Sequence, residues 1–209
     1  MAESVLACYD VELAIANDDA MFDDYGSIPA VEAHNLAVNN NVITDYDMDF
    51  FTHEIVFVIV ETFVVTNGTN PWPEGNTGNP DAGDYLSDFT SWGNSGGFSV
   101  PFDLATLWTA ENLAGSTIGV AWLSGVCTNL RYNVCQDFSS NADLLRVLVS
   151  HEYGHNFSSQ HDGGGGFIMS PSVNNTTTWS NQSVNSIDNF VSGLISGGCV
   201  SPCAPPVPP

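Results

Sequence analysis

The segment NADLLRVLVSHEYGHNF, residues 141–157, constrains this chain more than any other, because its pattern predicts one long helix that ends in histidines. Asn141 is a typical N-cap residue, and Asp143 places a negative charge in the first turn, where the helix dipole favours it. One side of the predicted helix carries leucines, at positions 144, 145 and 148.

Two histidines of this helix are spaced as ligands of a single metal ion must be. His151 and His155 lie four residues apart and therefore share a helix face, and His161 follows beyond the helix. Three neutral imidazoles leave the fourth position of zinc open for water, which is the pattern of a catalytic site. Glu152 lies one step around the helix, where it would take the proton of a zinc-bound water and pass it to a leaving amine. These residues predict metal-assisted peptide hydrolysis.

Two other interpretations of these histidines exist. The H-E-x-x-H pattern occurs by chance on polar surface helices, and the third histidine at position 161 makes that interpretation the weaker one. A purely structural zinc ion needs a fourth protein ligand, and none is apparent in the sequence. The lone histidines His34 and His53 read as ordinary polar or core residues.

The charge balance excludes several classes of partner. The chain has 209 residues, with 24 acidic against two basic side chains and a formal net charge of −22. Phosphate binding needs basic side chains, so nucleic acid is excluded and anionic membrane surfaces are disfavoured. No run of about 18 apolar residues predicts a transmembrane helix. Solubility in salty or cold water is the main explanation of the acidic surface, and calcium binding is the lesser one. We expect the protein to be a monomer.

Strands that alternate with helices predict an α/β fold. Strands are predicted at VELAIAND (11–18), HEIVFVIVETFVV (53–65) and STIGVAWLSG (116–125), with DLATLWTA (103–110) as a strand or a buried segment. Further helices are predicted over about 28–45, at LSDFTSWGN (86–94) and over 183–196. Turn residues predict a surface loop over 67–84.

The chain contains five cysteines, Cys8, Cys127, Cys135, Cys199 and Cys203. The odd count leaves one thiol free or paired outside the chain, and the sequence does not give the connectivity. Two disulfides would suit an extracellular protein. The start, MAESVLACYD, shows no signal-peptide pattern, and the end, CAPPVPP, reads as a semi-rigid linker.

The histidine motif resembles the signature of a known family. H-E-x-x-H-x-x-G-x-x-H followed by a methionine turn marks the metzincins, and Met169 in FIMSP is the Met-turn candidate. HNF after the second histidine, Asp162 after the third, VELAIAND, STIGVAWLSGVC and a late cysteine are similar to the adamalysin (reprolysin) branch. Astacin-like and serralysin-like enzymes carry a tyrosine where Pro171 stands here. Ser158 replaces the family glycine, and a left-handed backbone there would cost serine about 1 kcal/mol.

The resemblance implies a fold and a function. The fold would be a metzincin-like twisted mixed five-stranded sheet with helices, plus a small irregular or helical C-terminal subdomain. Residues 1–161 would form the upper subdomain ending in the zinc-binding helix, 162–203 the lower subdomain with the Met-turn, and 204–209 a Pro-rich linker. The implied function is a secreted zinc-dependent endopeptidase acting on protein or peptide substrates. A catalytically weak or inactive metzincin-fold binding module and a matrixin-like metzincin of another branch are the alternatives.

The resemblance also implies where a peptide would bind. An edge strand at 116–123 would pair with an extended substrate through main-chain hydrogen bonds, and a loop after the Met-turn would line an apolar pocket for the residue after the cut. The implied substrate-binding residues are Thr117, Ile118 and Gly119 on the strand and Ser170, Pro171 and Val173 in the loop. An interior strand and a connecting loop are the plainer interpretation of these segments.

A calcium site far from the zinc is a further implication of the resemblance. Glu12 and Asp103 match its two acidic ligands and the carbonyl of Cys199 a third, whereas Pro202 stands where the family has an asparagine. Ordinary solvated carboxylates explain the two acidic residues equally well. The resemblance also implies a Cys127–Cys199 disulfide closing a long loop, and Cys8, Cys135 and Cys203 have no assigned partner.

Overall fold

A twisted mixed sheet forms the centre of the protein, which is seen here in a computed structural model that describes residues 8–47 and 49–204. Its strands follow the order β2-β1-β3-β5-β4, and the short β6 pairs with the start of β1. The first three neighbouring pairs are parallel, while β4 runs antiparallel to β5 at one edge. The strands are β1 Cys8–Asn17, β2 Glu54–Val64, β3 Leu104–Thr109, β4 Gly119–Ala121, β5 Tyr132–Gln136 and β6 Ser201–Pro202.

Helices connect these strands and complete the fold. They are α1 Asp19–Tyr25, α2 Ile28–Ile43, α3 Ala82–Trp92, α4 Ala142–Asn156 and α5 Asn181–Gly197. Each helix begins after a residue whose side chain accepts a main-chain hydrogen bond from the first turn: Asp18, Ser27, Asp81, Asn141 and Ser180. None of the helices within residues 8–47 and 49–204 is long and apolar enough to cross a membrane.

Side chains alternate between two apolar layers, one on each face of the sheet. On β1, Val11, Leu13 and Ile15 contribute to the layer that α2 and α4 cover, whereas Ala14 and Ala16 contribute to the layer that α3 covers. This alternation is the two-residue period of a strand buried on both faces. The first layer continues without a break into the segment after α4 and into α5, which adds Ile187 and Val191.

The predicted fold class is confirmed, with several changes in the elements. The strand predicted over 116–125 is regular only at Gly119–Ala121, because left-handed residues at Ser124 and Cys127 turn the chain away. The loop predicted over 67–84 contains a short 3-10 turn and the start of α3. The sequence analysis did not predict α1 and β5. The division at residue 161 stays a prediction, and 205–209 of the predicted linker lie outside the described residues.

Two disulfides close the chain on itself. Cys127 is joined to Cys199 with 6.3 Å between their Cα atoms, which is the pairing that the resemblance implies. Cys8 is joined to Cys203 across 5.3 Å, next to the pairing of β1 with β6. Cys135 on β5 is the remaining cysteine, and its thiol is free and buried. Burial raises the pKa of that thiol well above its ordinary value.

Candidate metal centre and cleft

Three histidines converge at the C-terminal end of α4. His151 and His155 lie on the helix, and His161 follows after the chain has reversed direction. The Nε2 atoms of His151 and His161 are 3.1 Å apart. Two nitrogens bound tetrahedrally to one zinc ion lie about 3.3 Å apart, since each Zn–N bond is about 2.0–2.1 Å. The spacing of these nitrogens therefore fits a shared zinc ion.

Hydrogen bonds to main-chain carbonyls fix which nitrogen carries the proton in two of these rings, His151 and His155. His151 Nδ1 lies 2.8 Å from the carbonyl oxygen of Ile168, and His155 Nδ1 lies 2.8 Å from that of Ser159. Because a carbonyl only accepts hydrogen bonds, each Nδ1 carries the proton and each Nε2 offers its lone pair to a metal. Burial lowers the pKa of His151 to about 4 and lowers that of His155, so both rings are neutral near pH 7.

Ser158 adopts the left-handed backbone that the family glycine would provide. Its φ is 77°, its main-chain N–H donates to the carbonyl of His155, and Ser159 donates to that of Gly154. These bonds end the helix and turn the chain toward His161. Ser158 therefore forms the same left-handed turn that a glycine would form, at a cost of about 1 kcal/mol in backbone strain relative to glycine.

Glu152 is a buried carboxyl group beside the three histidines. Its side chain is 4% exposed, and its Oε2 atom has no hydrogen-bond partner within residues 8–47 and 49–204. Burial raises the pKa of Glu152 to about 8. A buried carboxyl oxygen without a partner is costly, and a metal-bound water would provide the missing hydrogen bond. The residues present therefore fit a metal ion with a coordinated water.

Met169, the Met-turn candidate, packs against the turn of α4 that carries His151 and His155. Its side chain is fully buried and lies directly against Gly154, where a Cβ atom on the glycine would overlap the methionine sulfur. Only glycine at this position lets the loop approach α4 so closely. The methionine thus supports the helical turn that holds His151 and His155, as a packing residue.

A cleft of about 660 Å³ opens in front of the histidines. The predicted substrate-binding residues all line it: Thr117, Ile118, Gly119, Ser170, Pro171 and Val173. Its walls also include Phe138, Leu144 and Leu148, which the sequence analysis did not assign to the site. The helical spacing could have assigned the two leucines to the cleft, because positions 144 and 148 lie on the helix face that continues through His151 and His155.

Asn156 is another site-building residue that the sequence analysis did not assign a role. Its side-chain amide donates to the carbonyls of Trp122 at 2.9 Å and Tyr132 at 3.1 Å, and accepts from Asn133 at 2.9 Å. These bonds tie the end of α4 to both strands at the edge of the sheet. Residues 156–158 also match the N-x-[ST] glycosylation pattern, and because Asn156 is fully buried, the folded protein offers no access to this asparagine.

Two of the predicted calcium ligands, Glu12 and Asp103, are hydrogen-bonded neighbours beside the Cys127–Cys199 disulfide. Asp103 Oδ2 accepts the main-chain N–H of Glu12 at 3.0 Å, and Asp103 Oδ1 lies 3.7 and 3.8 Å from the sulfurs of the Cys127–Cys199 disulfide. Disulfide sulfurs carry no thiolate charge and do not serve as metal ligands. Burial raises the pKa of Asp103. A calcium ion at this position stays a prediction.

The fold and the three-histidine centre define a metallopeptidase. Residues 8–180 match the family described as Metallo-peptidase family M12, of the reprolysin type. The chain belongs to this family, as an adamalysin/reprolysin metzincin catalytic domain, and is a metalloendopeptidase.

Proteins of known activity are similar over most of the chain. The zinc metalloproteinase recombinant fibrinogenase II of Deinagkistrodon acutus is 30% identical over 174 residues, covering 78% of this chain and 70% of that protein. The snake venom metalloproteinase Ac1 of the same species is 28% identical over 157 residues, covering 73% and 72%. A chain in a solved structure, described as a chaperone-substrate complex, matches with a TM-score of 0.65 at 13% identity and covers 90% of this chain and 35% of that one. At this identity the likeness shows the fold alone.

Proposed function

We propose that this chain is a secreted endopeptidase in which His151, His155 and His161 bind zinc and Glu152 is the general base. The observation that supports this most directly is the convergence of the three imidazoles beside a buried carboxyl oxygen that has no hydrogen-bond partner in the described part of the chain. When bound, zinc supplies Lewis-acid polarisation of the scissile carbonyl and lowers the pKa of a coordinated water.

Glu152 would move a proton between water and the leaving amine. Its carboxylate would accept the proton of the attacking water and deliver it to the nitrogen of the cleaved bond. Burial raises the pKa of this carboxyl group to about 8 in the protein without metal, and a zinc ion beside it would lower that pKa and favour the carboxylate form that a base requires. The low polarity around it also strengthens its interaction with the reacting atoms.

The substrate would lie along β4. This strand forms the edge of the sheet and pairs only with β5 in the described part of the chain, so its outer side is open to an extended peptide. Such pairing supplies main-chain hydrogen bonds independent of sequence. Leu144, Leu148 and Val173 give the cleft an apolar wall, which favours an apolar side chain after the scissile bond.

Secretion is supported by the two disulfides, Cys8–Cys203 and Cys127–Cys199, because such bonds persist in oxidising compartments. We propose that the protein acts as a monomer on protein or peptide substrates, as its family implies.

Zinc content and proteolysis, measured together, test this function. We expect one zinc ion per chain and cleavage of casein that a chelator abolishes and added zinc restores. A protein that binds zinc but leaves casein and denatured proteins intact would instead be a binding module with a metzincin fold. A protein that binds no zinc would contradict the assignment of the three histidines.

Calcium is a secondary part of the proposal. Glu12, Asp103 and the Cys199 carbonyl would provide three oxygen positions, whereas calcium takes six to eight oxygen ligands, so water would complete the shell. An increase in Tm on adding calcium to the zinc-loaded protein, absent in Asp103→Asn, would support the site. The same Tm with and without calcium would remove it.

A further inference from the structure

Both basic side chains of this acidic protein are held by contacts within the fold, and one of them is buried. Arg131 donates to the carbonyl of Phe102 and lies over the ring of the same residue, 4.8 Å from its centroid. Arg146 lies on α4, five residues before the first predicted zinc ligand, and is 5% exposed. One of only two cations in the chain is therefore placed inside the helix packing behind the metal centre.

Arg146 joins three parts of the protein. Its Nη1 binds both carboxylate oxygens of Asp45, which follows α2, and its Nη2 donates to the carbonyl of Thr176 at 2.7 Å. Asp45 also accepts from the hydroxyl of Ser150 at 2.6 Å, and its main-chain carbonyl accepts from Trp179 at 2.6 Å. The guanidinium thus attaches the loop that contains Thr176 to α4.

A continuous set of hydrogen bonds leads from Thr176 to a predicted zinc ligand. The Thr176 hydroxyl donates to the carbonyl of Gly166 at 2.9 Å and accepts from the N–H of Thr178 at 3.1 Å. The carbonyl of Thr178 accepts from the N–H of Ile168 at 2.9 Å. The carbonyl of Ile168 in turn accepts from His151 Nδ1 at 2.8 Å.

We propose that Arg146 is a positioning residue for zinc binding. By donating to the Thr176 carbonyl, Arg146 fixes the position of the segment 166–178 relative to α4. In that position the Ile168 carbonyl accepts from His151 and orients its ring. A buried ion pair contributes little net stability compared with apolar packing, so a positioning role accounts better for a buried arginine here. This inference rests on the proposed zinc site and adds a residue that does not touch the metal.

Arg146→Lys separates the two contacts of the guanidinium. A lysine ammonium can still neutralise Asp45, but a single nitrogen does not span both Asp45 and the Thr176 carbonyl. We expect the zinc dissociation constant, measured by competition with a chromophoric chelator, to rise about tenfold. This is the lower end of the loss in metal affinity, about 10–100-fold, that follows mutation of residues supporting a metal ligand. Excess zinc should restore cleavage, because Glu152 and the three histidines are intact.

Arg131→Lys is the matched control, since it also removes a guanidinium contact to a main-chain carbonyl, at Phe102, a residue outside α4 and outside the segment 166–178. Both variants are compared well below their Tm, so that any loss of stability does not enter the zinc affinity. Thr176→Val is a second route to the same loop, because it keeps Arg146 and removes the hydroxyl bonds to Gly166 and Thr178. It should weaken zinc binding in the same direction.

Three outcomes are distinguishable. Weaker zinc binding in Arg146→Lys and Thr176→Val, with wild-type affinity in Arg131→Lys, supports the proposal. Wild-type zinc affinity in both test variants, or the same loss in Arg131→Lys, overturns it and leaves Arg146 with a purely structural role. A wild-type protein that fails to bind zinc contradicts the proposed function itself.

Discussion

Gly119 on β4 and Glu152 on α4 both line the cleft and are in direct contact with each other. A Cβ atom added at Gly119 would lie 2.5 Å from Glu152 Oε1 and 2.8 Å from Leu148 Cδ1. The absence of a side chain at position 119 therefore sets the distance between β4, the proposed substrate-binding edge of the sheet, and the proposed general base.

Gly119→Ala should impair catalysis while zinc binding persists. The added methyl group forces either the carboxyl group or β4 to move, and misplacement by about 1 Å costs on the order of a hundredfold in rate. The measurements are kcat/KM on a peptide substrate and zinc content. Gly163→Ala is the control, because a Cβ there meets no atom within 4 Å. Wild-type kinetics in Gly119→Ala would show that the contact relaxes without consequence.

Glu152→Ala should bind zinc and lose peptide hydrolysis. General acid–base catalysis contributes about 10²–10⁴-fold to rate, so kcat should fall by at least that factor. Zinc content from elemental analysis and casein cleavage are measured on the same preparation. Undiminished cleavage would exclude Glu152 as the base.

Ser158→Gly should stabilise the protein by about 1 kcal/mol, because glycine adopts the φ of 77° at this position without the strain that serine carries. Urea unfolding of the metal-free protein measures this difference. Ser158→Ala keeps a side chain at the same backbone angle and should bring no comparable gain. A destabilised glycine variant would mean that the serine hydroxyl, and not the backbone, governs the turn.

Asp18→Asn should change how stability depends on pH. Asp18 is fully buried at the N-cap of α1, where it accepts from Met21 and Tyr85, and burial raises its pKa from 3.8 to about 6. Between pH 4 and 6 the folded protein binds more protons at Asp18 than the unfolded chain does, so the free energy of unfolding falls as the pH rises. Above pH 6 the buried carboxylate lowers the free energy of unfolding by about 3 kcal/mol.

An asparagine cap does not titrate. Its Oδ1 still accepts from the Met21 N–H, whereas its Nδ2 can only donate to the Tyr85 hydroxyl. The free energy of unfolding of Asp18→Asn relative to the wild type should therefore rise across pH 4 to 6 and level off above it. Asp81→Asn removes the equivalent carboxylate from the exposed N-cap of α3 and is the matched control. A difference between Asp18→Asn and the wild type that is independent of pH would show that Asp18 is not held in its protonated form.

The sequence predicted α4 well because its helical period, its Asn141 cap and the histidine spacing all agree. It did not predict β5, in which the polar residues Asn133 and Gln136 interrupt a short buried run. Their side chains bond to Asn156 and Asn112, and such long-range partners are invisible in a local pattern. The same limit applies to α1, a seven-residue helix rich in acids, and to the Cys8–Cys203 pairing, whose partners are 195 residues apart.

The contacts that hold both arginines have a consequence for the cleavage of this protein by other proteases. A trypsin-like enzyme cuts after lysine or arginine, and this chain offers it only Arg131 and Arg146. Arg146 is buried in α4, and the half-buried Arg131 is held against Phe102. The folded protein should therefore survive trypsin intact. Three fragments on a reducing gel would report global unfolding, whereas without a reductant the two disulfides keep residues 1–131 and 147–209 joined.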